Sequence, residues 1–484
     1  MNDRYAHLAL LTDLYQLTMA QGYFLLNMAQ KKACFHLFFR KRPFDGEYAI
    51  ASGLEPFLEF FEQFRYAKED VEYLSSIKAQ DGSFLFKHSF LEYLKNLRFT
   101  CDILAAPEGS VVFPYEPFVQ VTGPLLQCQL LETPLLNFFN FSTLISTKAA
   151  RIASAAQGDT LVEFGLRRAQ GMDGALTASR AAYIGGADST SNVMAGKLFN
   201  IPVSGTQAHS WIMAHPSEIE AFENFAKVSP NNCSFLIDTY NSLEGAKKAI
   251  AITKKLEDQG VKVLALRLDS GDLVKLSQTI RAMLDEHQLK HIKLMATNEL
   301  DEFVILELKN KGAKIDIWGV GTHLVTAKNQ PSLDGVYKLS GIENPEGVWE
   351  RKLKISDSPS KTTDPGILQV KRYSDALGYK ADVLVDENLA KEGVFACYAR
   401  EGGQEINIDP SWQVKDLLVQ VIKQGHRVFA QESLQTIRQR KDKELTSLPK
   451  KNLKLAQSSC YPVYLEKNLF SYKQELIAKM YLNP

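Results

Sequence analysis

Six short stretches of the chain carry side chains able to do chemistry: "EFGLRRAQG" (163–171), "GGADSTS" (185–191), "SGTQAHSW" (204–211), "LIDTYNS" (236–242), "RLDSGD" (267–272) and "WGVGTH" (318–323). Among their side chains are the carboxylates Asp188, Asp238 and Asp269, the guanidiniums Arg167, Arg168 and Arg267, the imidazole of His209 and a Gly-rich turn at Gly319 and Gly321. Carboxylates set among arginines point to a charged substrate, with magnesium bridging phosphates to Asp. A G-x-G-T turn after a late strand can hold phosphate on free backbone N–H groups. The small residues Gly205 and Ala208 leave room for a ligand beside His209. Taken singly, each stretch is equally compatible with a turn, a solvated histidine or a structural ion pair. The case for chemistry is that they fall on one rim.

The rim follows from the pattern of elements. From about residue 160, short apolar runs alternate with helical patterns. "CSFLID" (233–238), "VKVLALRLD" (261–269), "IKLMATN" (292–298) and "AKIDIWGVG" (313–321) read as buried strands. The helices between them are "SLEGAKKAIAITKKLEDQG", closed by Gly260, then "LVKLSQTIRAMLDEH" and "ELDEFVILELKNKG". Asp238, Asp269, Asn298 and Gly319, spaced 31, 29 and 21 residues apart, then stand at strand carboxyl ends. "TLVEFGLR" (160–167), "AAYIGGAD" (181–188), "IPVSGTQAH" (201–209) and "GVYKLSGI" (335–342) are further candidate strands, with "STSNVMAGKLF" and "SEIEAFENFAKV" as helices. Seven or eight such units predict a parallel sheet closed into an irregular α/β barrel, whose chemistry sits at the carboxyl ends of the strands.

The flanks read differently. "ACFHLFF", "GSVVFPYEPFVQVTG" and "LLQCQLL" are β-rich, and the tail mixes short strands with basic helices. The expected organisation is an α+β auxiliary domain built from both chain ends, residues 1–135 and 343–484, around a barrel over 136–342. The polar stretch "ENPEGVWERKLKISDSPSKTTDPG" marks the return crossing.

Composition narrows the partners. Lys plus Arg equals Asp plus Glu, 56 each, which argues against a nucleic-acid or membrane partner. The six cysteines lie at least 27 residues apart, so no C-x-x-C zinc or dithiol motif exists and reduced thiols are expected. "MNDRYAHLALLTDLYQ" has early charges and no long apolar core, and no run approaches a membrane span, so a cytoplasmic location is expected. "GVGTHL" lacks the third glycine of a dinucleotide fingerprint. Neither a P-loop nor a G-x-S-x-G elbow is present.

These stretches, in order, resemble the nicotinate phosphoribosyltransferase family. The resemblance begins at "LLTDLYQLTMAQGYF" (10–24) and continues through "FFRKRPFDGEYAIASGLE", "PLLNFFNFSTLISTKAARI", "EFGLRRAQGMDGALTAS", "GGADSTSNVMAG", "GTQAHSW", "LIDTYNS", "RLDSGDL", "GVGTHLVT" and "PSLDGVYKL" to "KTTDPG" (361–366). It implies a barrel-type transferase, formally classed as a ligase, that joins nicotinate to C1 of phosphoribosyl pyrophosphate. It further implies ATP as co-substrate through a phosphorylated His209, magnesium (with Asp269 as a ligand), and a homodimer with shared sites. By motif match the resemblance implies catalytic roles for His209, Asp238 and Asp269. Tyr15, Phe164, Thr206 and Arg267 would surround nicotinate, with Arg167, Asp188 and Ser210 nearby. Gly319, Gly321 and Thr322 would hold the 5′-phosphate, and Arg40, Lys361 and Thr363, with Lys354, the pyrophosphate. A nicotinamide or quinolinate transferase of the same architecture is the nearest alternative, because a carboxylate at Asp188 could accept hydrogen bonds from an amide.

Overall fold

A computed structural model describes residues 7–356, 361–389, 396–400, 402–455 and 460–482. Residues 1–6 of the N-terminal stretch and 357–360 of the return crossing lie outside the described residues. The chain divides into two units: Met1–Leu144 with Ser332–Pro484, and Ile145–Pro331.

The Ile145–Pro331 unit is built on one parallel sheet. Its strands lie in the order Ser189–Thr190, Thr160–Glu163, Ile317–Val320, Lys293–Ala296, Val263–Leu268 and Cys233–Leu236. Every ladder in it is parallel. The apolar run of Cys233–Leu236 is buried throughout, as a strand covered on both faces must be. The helices between the strands begin at side-chain caps that the sequence supplies. Asn241 accepts from the N–H groups of Leu243 and Glu244, Asp272 from Lys275, and Asp301 from Phe303 and Val304. At Gly245 an added Cβ would stand 2.0 Å from the carbonyl oxygen of Ile237, so only glycine lets this helix lie so close to the preceding strand.

Three expected strands come out differently. "AAYIGG" belongs to the helix Gly171–Gly185, because its small residues pack that helix closely. A Cβ on Gly185 would lie 2.3 Å from the Ser146 carbonyl oxygen. In "IPVSGTQAH" only Val203 bridges to Thr190. Among the described residues no ladder joins that end to Cys233–Leu236, and the Gln207 side chain instead donates to the Ser234 carbonyl at 3.0 Å. "GVYKLSGI" is a strand, Gly335–Glu343, but it belongs to the other unit, where it pairs antiparallel with Lys32–Phe39.

That other unit is mixed α/β and draws on both chain ends. One sheet runs Trp349–Arg351, Gly335–Glu343, Lys32–Phe39, Val119–Pro124, Asp102–Ala105, Val419–Lys423 and His426–Arg427. A second runs Ile406–Asn407, Ala396–Ala399, Val463–Glu466, Gly378–Asp386, Leu368–Asp375 and Gln413–Asp416. "LLQCQLL", expected to be β-rich, forms the helix Leu125–Leu130. Five of the six cysteines are buried free thiols and Cys460 is exposed. No helix among the described residues is long and apolar enough to cross a membrane.

His36, on Lys32–Phe39, is buried, and its Nε2 lies 2.9 Å from Gln120 Oε1. Burial pulls its pKa down to about 4 against the opposing pull of Gln120, Asp386 and Asp364. In the unfolded chain the same imidazole titrates near ~6.5. Between these values the unfolded state alone takes the proton, so this unit loses stability as pH falls from about 6.5 toward 4. We expect His36→Gln to remove roughly 3 kcal/mol of that acid-side loss. Unfolding midpoints followed from pH 7.5 to 4 would check it, and parallel wild-type and variant curves would contradict it.

Candidate active site

A cavity of about 340 Å³ opens in the Ile145–Pro331 unit at the carboxyl ends of the strands. Phe164, Arg167, Thr206, His209, Arg267, Asp269, Gly319, Gly321 and Thr322 all line it. It also takes in Arg168, Ser191, Gln207, Thr297, Asn298, Glu299 and His323.

Arg267, near the end of Val263–Leu268, is the most heavily tied of these groups. Its Nε donates to Thr297 Oγ1 at 3.0 Å, and its Nη1 to Thr206 Oγ1 at 2.9 Å and the Gln207 carbonyl at 3.2 Å. Its Nη2 donates to Asp269 Oδ1 at 3.2 Å. These four bonds leave one Nη2 hydrogen without a partner among the described residues. Burial would raise the Asp269 carboxyl, but the hydrogen bond from Thr297 and the charge and hydrogen bond of Arg267, with His209 nearby, hold it below the usual carboxylate range. Asp269 is therefore a carboxylate near neutral pH.

His209 opens the short helix His209–Met213. Its Nδ1 lies 3.1 Å from Thr239 Oγ1 and its Nε2 3.6 Å from Asp269 Oδ2. Asp238 stands beneath this pair and not on the cavity lining. Its Oδ2 accepts from the Asp269 N–H and the Ser270 hydroxyl, both at 2.7 Å, while its buried Oδ1 has no partner among the described residues.

Phe164 is placed by a buried carboxylate next to it. Glu163 is fully buried and accepts from the Gly165 N–H, from Ser179 Oγ at 2.9 Å and from Thr190 Oγ1 at 2.5 Å. This network ties down the turn that carries Phe164, Arg167 and Arg168. The guanidiniums of Arg167 and Arg168 are exposed and hydrogen-bond to nothing among the described residues. Opposite, Gly319 lets the ring settle: a Cβ there would stand 2.7 Å from Phe164 Cδ2 and 2.6 Å from Thr297 Cγ2.

Two sequence candidates are placed elsewhere in this unit. Asp188 precedes the strand Ser189–Thr190 instead of ending one, and its Oδ2 accepts the Leu161 N–H at 2.9 Å. It was misplaced because the apolar run before it is helix. Ser191, three residues on, lines the cavity instead. Ser210 is exposed and off the cavity lining. The residues missed in the sequence are Thr239, Thr297, Glu163 and His323. Thr239 and Thr297 adjoin the strand-end residues Asp238 and Asn298, so strand-end position was the available signal. His323 Nδ1 lies 3.2 Å from Asp301 Oδ2, and its Nε2 lies 2.8 Å from Glu299 and 2.7 Å from Lys328 Nζ. Glu299 is held below the usual carboxylate range chiefly by that hydrogen bond with His323.

Four candidates belong to the other unit. Tyr15 is exposed on the helix Leu14–Leu25, its hydroxyl pushed up by partial burial and by Glu132. Arg40 lines a cavity of about 410 Å³ together with Arg42, Tyr115 and Arg400. Lys361 is exposed, and Thr363 is buried with its hydroxyl accepting the Lys354 N–H at 3.0 Å.

A parallel α/β sheet with an arginine, a carboxylate and a histidine converging at its carboxyl edge defines the class: an α/β unit with a charged cavity at its strand ends. Residues 10–140 match the nicotinate phosphoribosyltransferase (NAPRTase) N-terminal domain, 160–386 the NAPRTase family and 369–473 its C-terminal domain. The chain is 39% identical over 475 residues to nicotinate phosphoribosyltransferase of Bacillus subtilis, covering 97% of this chain and 95% of that protein. It is 34% identical to the Homo sapiens enzyme of the same name, covering 97% of this chain and 96% of that one. The crystal structure of human nicotinic acid phosphoribosyltransferase is similar, with a TM-score of 0.83 and 31% identity over 96% of this chain and all of that one. The chain belongs to the nicotinate phosphoribosyltransferase family.

We expect Gly319→Ala to overpack the floor of the cavity against Phe164 and Thr297, costing about 1–3 kcal/mol. Urea unfolding of the variant against wild type measures this, and an unchanged midpoint would show that the floor yields freely.

Proposed function

We propose that this protein transfers the phosphoribosyl group of phosphoribosyl pyrophosphate to nicotinate, giving nicotinate mononucleotide and pyrophosphate, and that it serves the first step of NAD salvage from nicotinic acid. The observation that carries the reading is the convergence of Arg267, Asp269, His209 and Phe164 on one cavity. Nicotinate is a flat anion. Phe164 offers a ring face for it, and the remaining Nη2 hydrogen of Arg267, with Arg167 and Arg168 at the rim, offers donors for its carboxylate. With Asp188 accepting the Leu161 N–H, the carboxylate suited to an amide is off the cavity lining, which favours the acid over nicotinamide.

In this reading the C1–O bond to pyrophosphate breaks as the ring nitrogen bonds to C1. Asp269 stabilises the positive charge that develops at C1, and Asp238 backs it by fixing the Asp269 N–H. Gly319, Gly321 and Thr322 receive the 5′-phosphate.

The described residues hold no cluster of three metal-ligating groups, but Asp269, ionised on the cavity lining, and Asp238, whose Oδ1 has no partner among the described residues, would be the residues to hold a magnesium ion. Magnesium would supply charge neutralisation of the leaving pyrophosphate.

ATP enters as co-substrate. A neutral nitrogen of His209 attacks its γ-phosphorus, the bond to ADP breaks, and water later releases phosphate. A homodimer with shared sites is part of the same reading. Leu11, Leu14, Tyr15, Met19, Leu25 and Leu26 form an exposed apolar stripe on and beside the helix Leu14–Leu25, suited to a second copy of this chain. The same reading includes an irregular barrel closed across the Gln207–Ser234 contact, and a cytoplasmic location.

Incubating the protein with phosphoribosyl pyrophosphate, magnesium and labelled nicotinate, with and without ATP, tests the reaction; no mononucleotide in either tube would sink it. His209→Ala should keep a slow transfer, since positioning and electrostatics do not need the imidazole, yet lose all ATP stimulation. γ-Labelled ATP should place an acid-labile, base-stable phosphate on the wild-type peptide containing "GTQAHSW". A variant that still couples ATP hydrolysis to product would remove His209 from that role.

For the shared site, mixing Tyr15→Ala chains with Arg267→Ala chains should restore part of the activity through subunit exchange. Exchange verified by labelled subunits, with no recovery, would show that Tyr15 serves its own chain.

A further inference from the structure

Thr297 follows the strand Lys293–Ala296, is 3% exposed and lines the cavity. Two opposite charges meet on its hydroxyl: Arg267 Nε donates to it at 3.0 Å, and it donates to Asp269 Oδ1. Its methyl is pinned on the other side, since Cγ2 lies so close over Gly319 that a Cβ there would stand 2.6 Å away. A β-branched side chain held at both branches has one rotamer available.

An arginine two residues from an aspartate at a strand end has an alternative geometry. The guanidinium can turn its fork onto the carboxylate and pair with both oxygens. Such a pair consumes the carboxylate and the outward donor together. Here the Nε edge is taken by Thr297, so Asp269 meets Arg267 only through Nη2, at 3.2 Å. Asp269 Oδ2 is thereby left facing His209 at 3.6 Å. A hydroxyl is the smallest neutral group that accepts from a guanidinium and donates to a carboxylate at once.

We propose that Thr297 is a positioning residue for the transfer reaction, and that its hydroxyl keeps Arg267 and Asp269 from closing into a two-point pair, so that each remains a working group. This rests on the phosphoribosyl-transfer reading above. Serine keeps the hydroxyl, whereas valine keeps the shape and removes both bonds.

The test compares full-length wild type, Thr297→Val and Thr297→Ser in nicotinate turnover, with nicotinate KM and kcat measured separately and the folded fraction checked by thermal unfolding. Thr297→Val should lower kcat/KM by roughly 10- to 100-fold, the range expected for hydrogen bonds to charged groups. Nicotinate KM should rise, because Arg267 is misaligned even in folded molecules. Thr297→Ser should stay within about threefold of wild type, since both bonds to charged groups are retained. A purely structural role would lower the folded fraction and leave KM unmoved, and that result overturns the proposal. So does a serine variant as impaired as the valine one, or a valine variant equal to wild type. If Thr297→Val fails to fold, Thr297→Cys, similar in size with a weak donor, takes its place under the same criteria. Loss of turnover already in wild type overturns the transfer reading itself and this proposal with it, whereas a normal wild type beside a normal valine variant overturns this proposal alone.

Discussion

The contact between Arg267 and Asp269 is the constraint on which the site depends. Two residues of one strand end have opposite charges, and they would neutralise each other if free to do so. Neighbouring strands prevent that. Thr297, from the strand on one side, takes the Nε edge, and Asp238, from the strand on the other, holds the Asp269 N–H at 2.7 Å. Thr206 and the Gln207 carbonyl take Nη1. The result is a guanidinium that is largely satisfied yet keeps one donor without a partner among the described residues, and a carboxylate that stays charged. Their geometry is set before a ligand arrives, which is what electrostatic stabilisation of a developing charge requires.

The parallel sheet makes this arrangement possible. Because Cys233–Leu236, Val263–Leu268, Lys293–Ala296 and Ile317–Val320 all run the same way, their carboxyl ends share one edge. Residues separated by about thirty positions in the chain become neighbours there. The glycines serve the same purpose from below. Gly245 lets a helix approach the Ile237 carbonyl, and Gly319 leaves room for the Phe164 ring and the Thr297 methyl.

The other unit handles its buried charge differently. Arg372 is fully buried and meets Asp382 through Nε at 2.9 Å and through Nη2 at 2.6 Å, with Glu444 at 2.9 Å on Nη1. Here the fork is allowed to close on the carboxylate, and the group is fully buried, away from any ligand. Burial, followed by the charge of Asp382, pushes the nearby Glu116 carboxyl well above its usual range, and so keeps the cluster from gathering excess negative charge. The contrast with Arg267 is a contrast between a structural ion pair and a poised one.

Much of the strand-end set was legible in the sequence, because it depends on local pattern. Buried apolar runs, helical patterns and the glycine that closes a helix identified the strands and helices from Cys233 to Val320, and with them the positions of Asp269, Arg267 and Gly319. The sequence was misleading where an apolar run had no periodicity to mark it. "AAYIGG" suited a strand or a packed helix equally, and choosing the strand moved Asp188 to the wrong end of the sheet. "GVYKLSGI" is a strand by composition, but its partner, Lys32–Phe39, lies some three hundred residues away, and hydrogen-bond partners across such distances leave no local trace. The roles of Thr297, Thr239 and Glu163 were also invisible. A threonine's hydroxyl acquires a function only from what two other strands bring to within 3 Å of it. The sequence by itself determined which residues could end a strand with charge; the tertiary structure alone decided which of those charges meet, because hydrogen bonding is a matter of ångströms between elements that the chain keeps far apart.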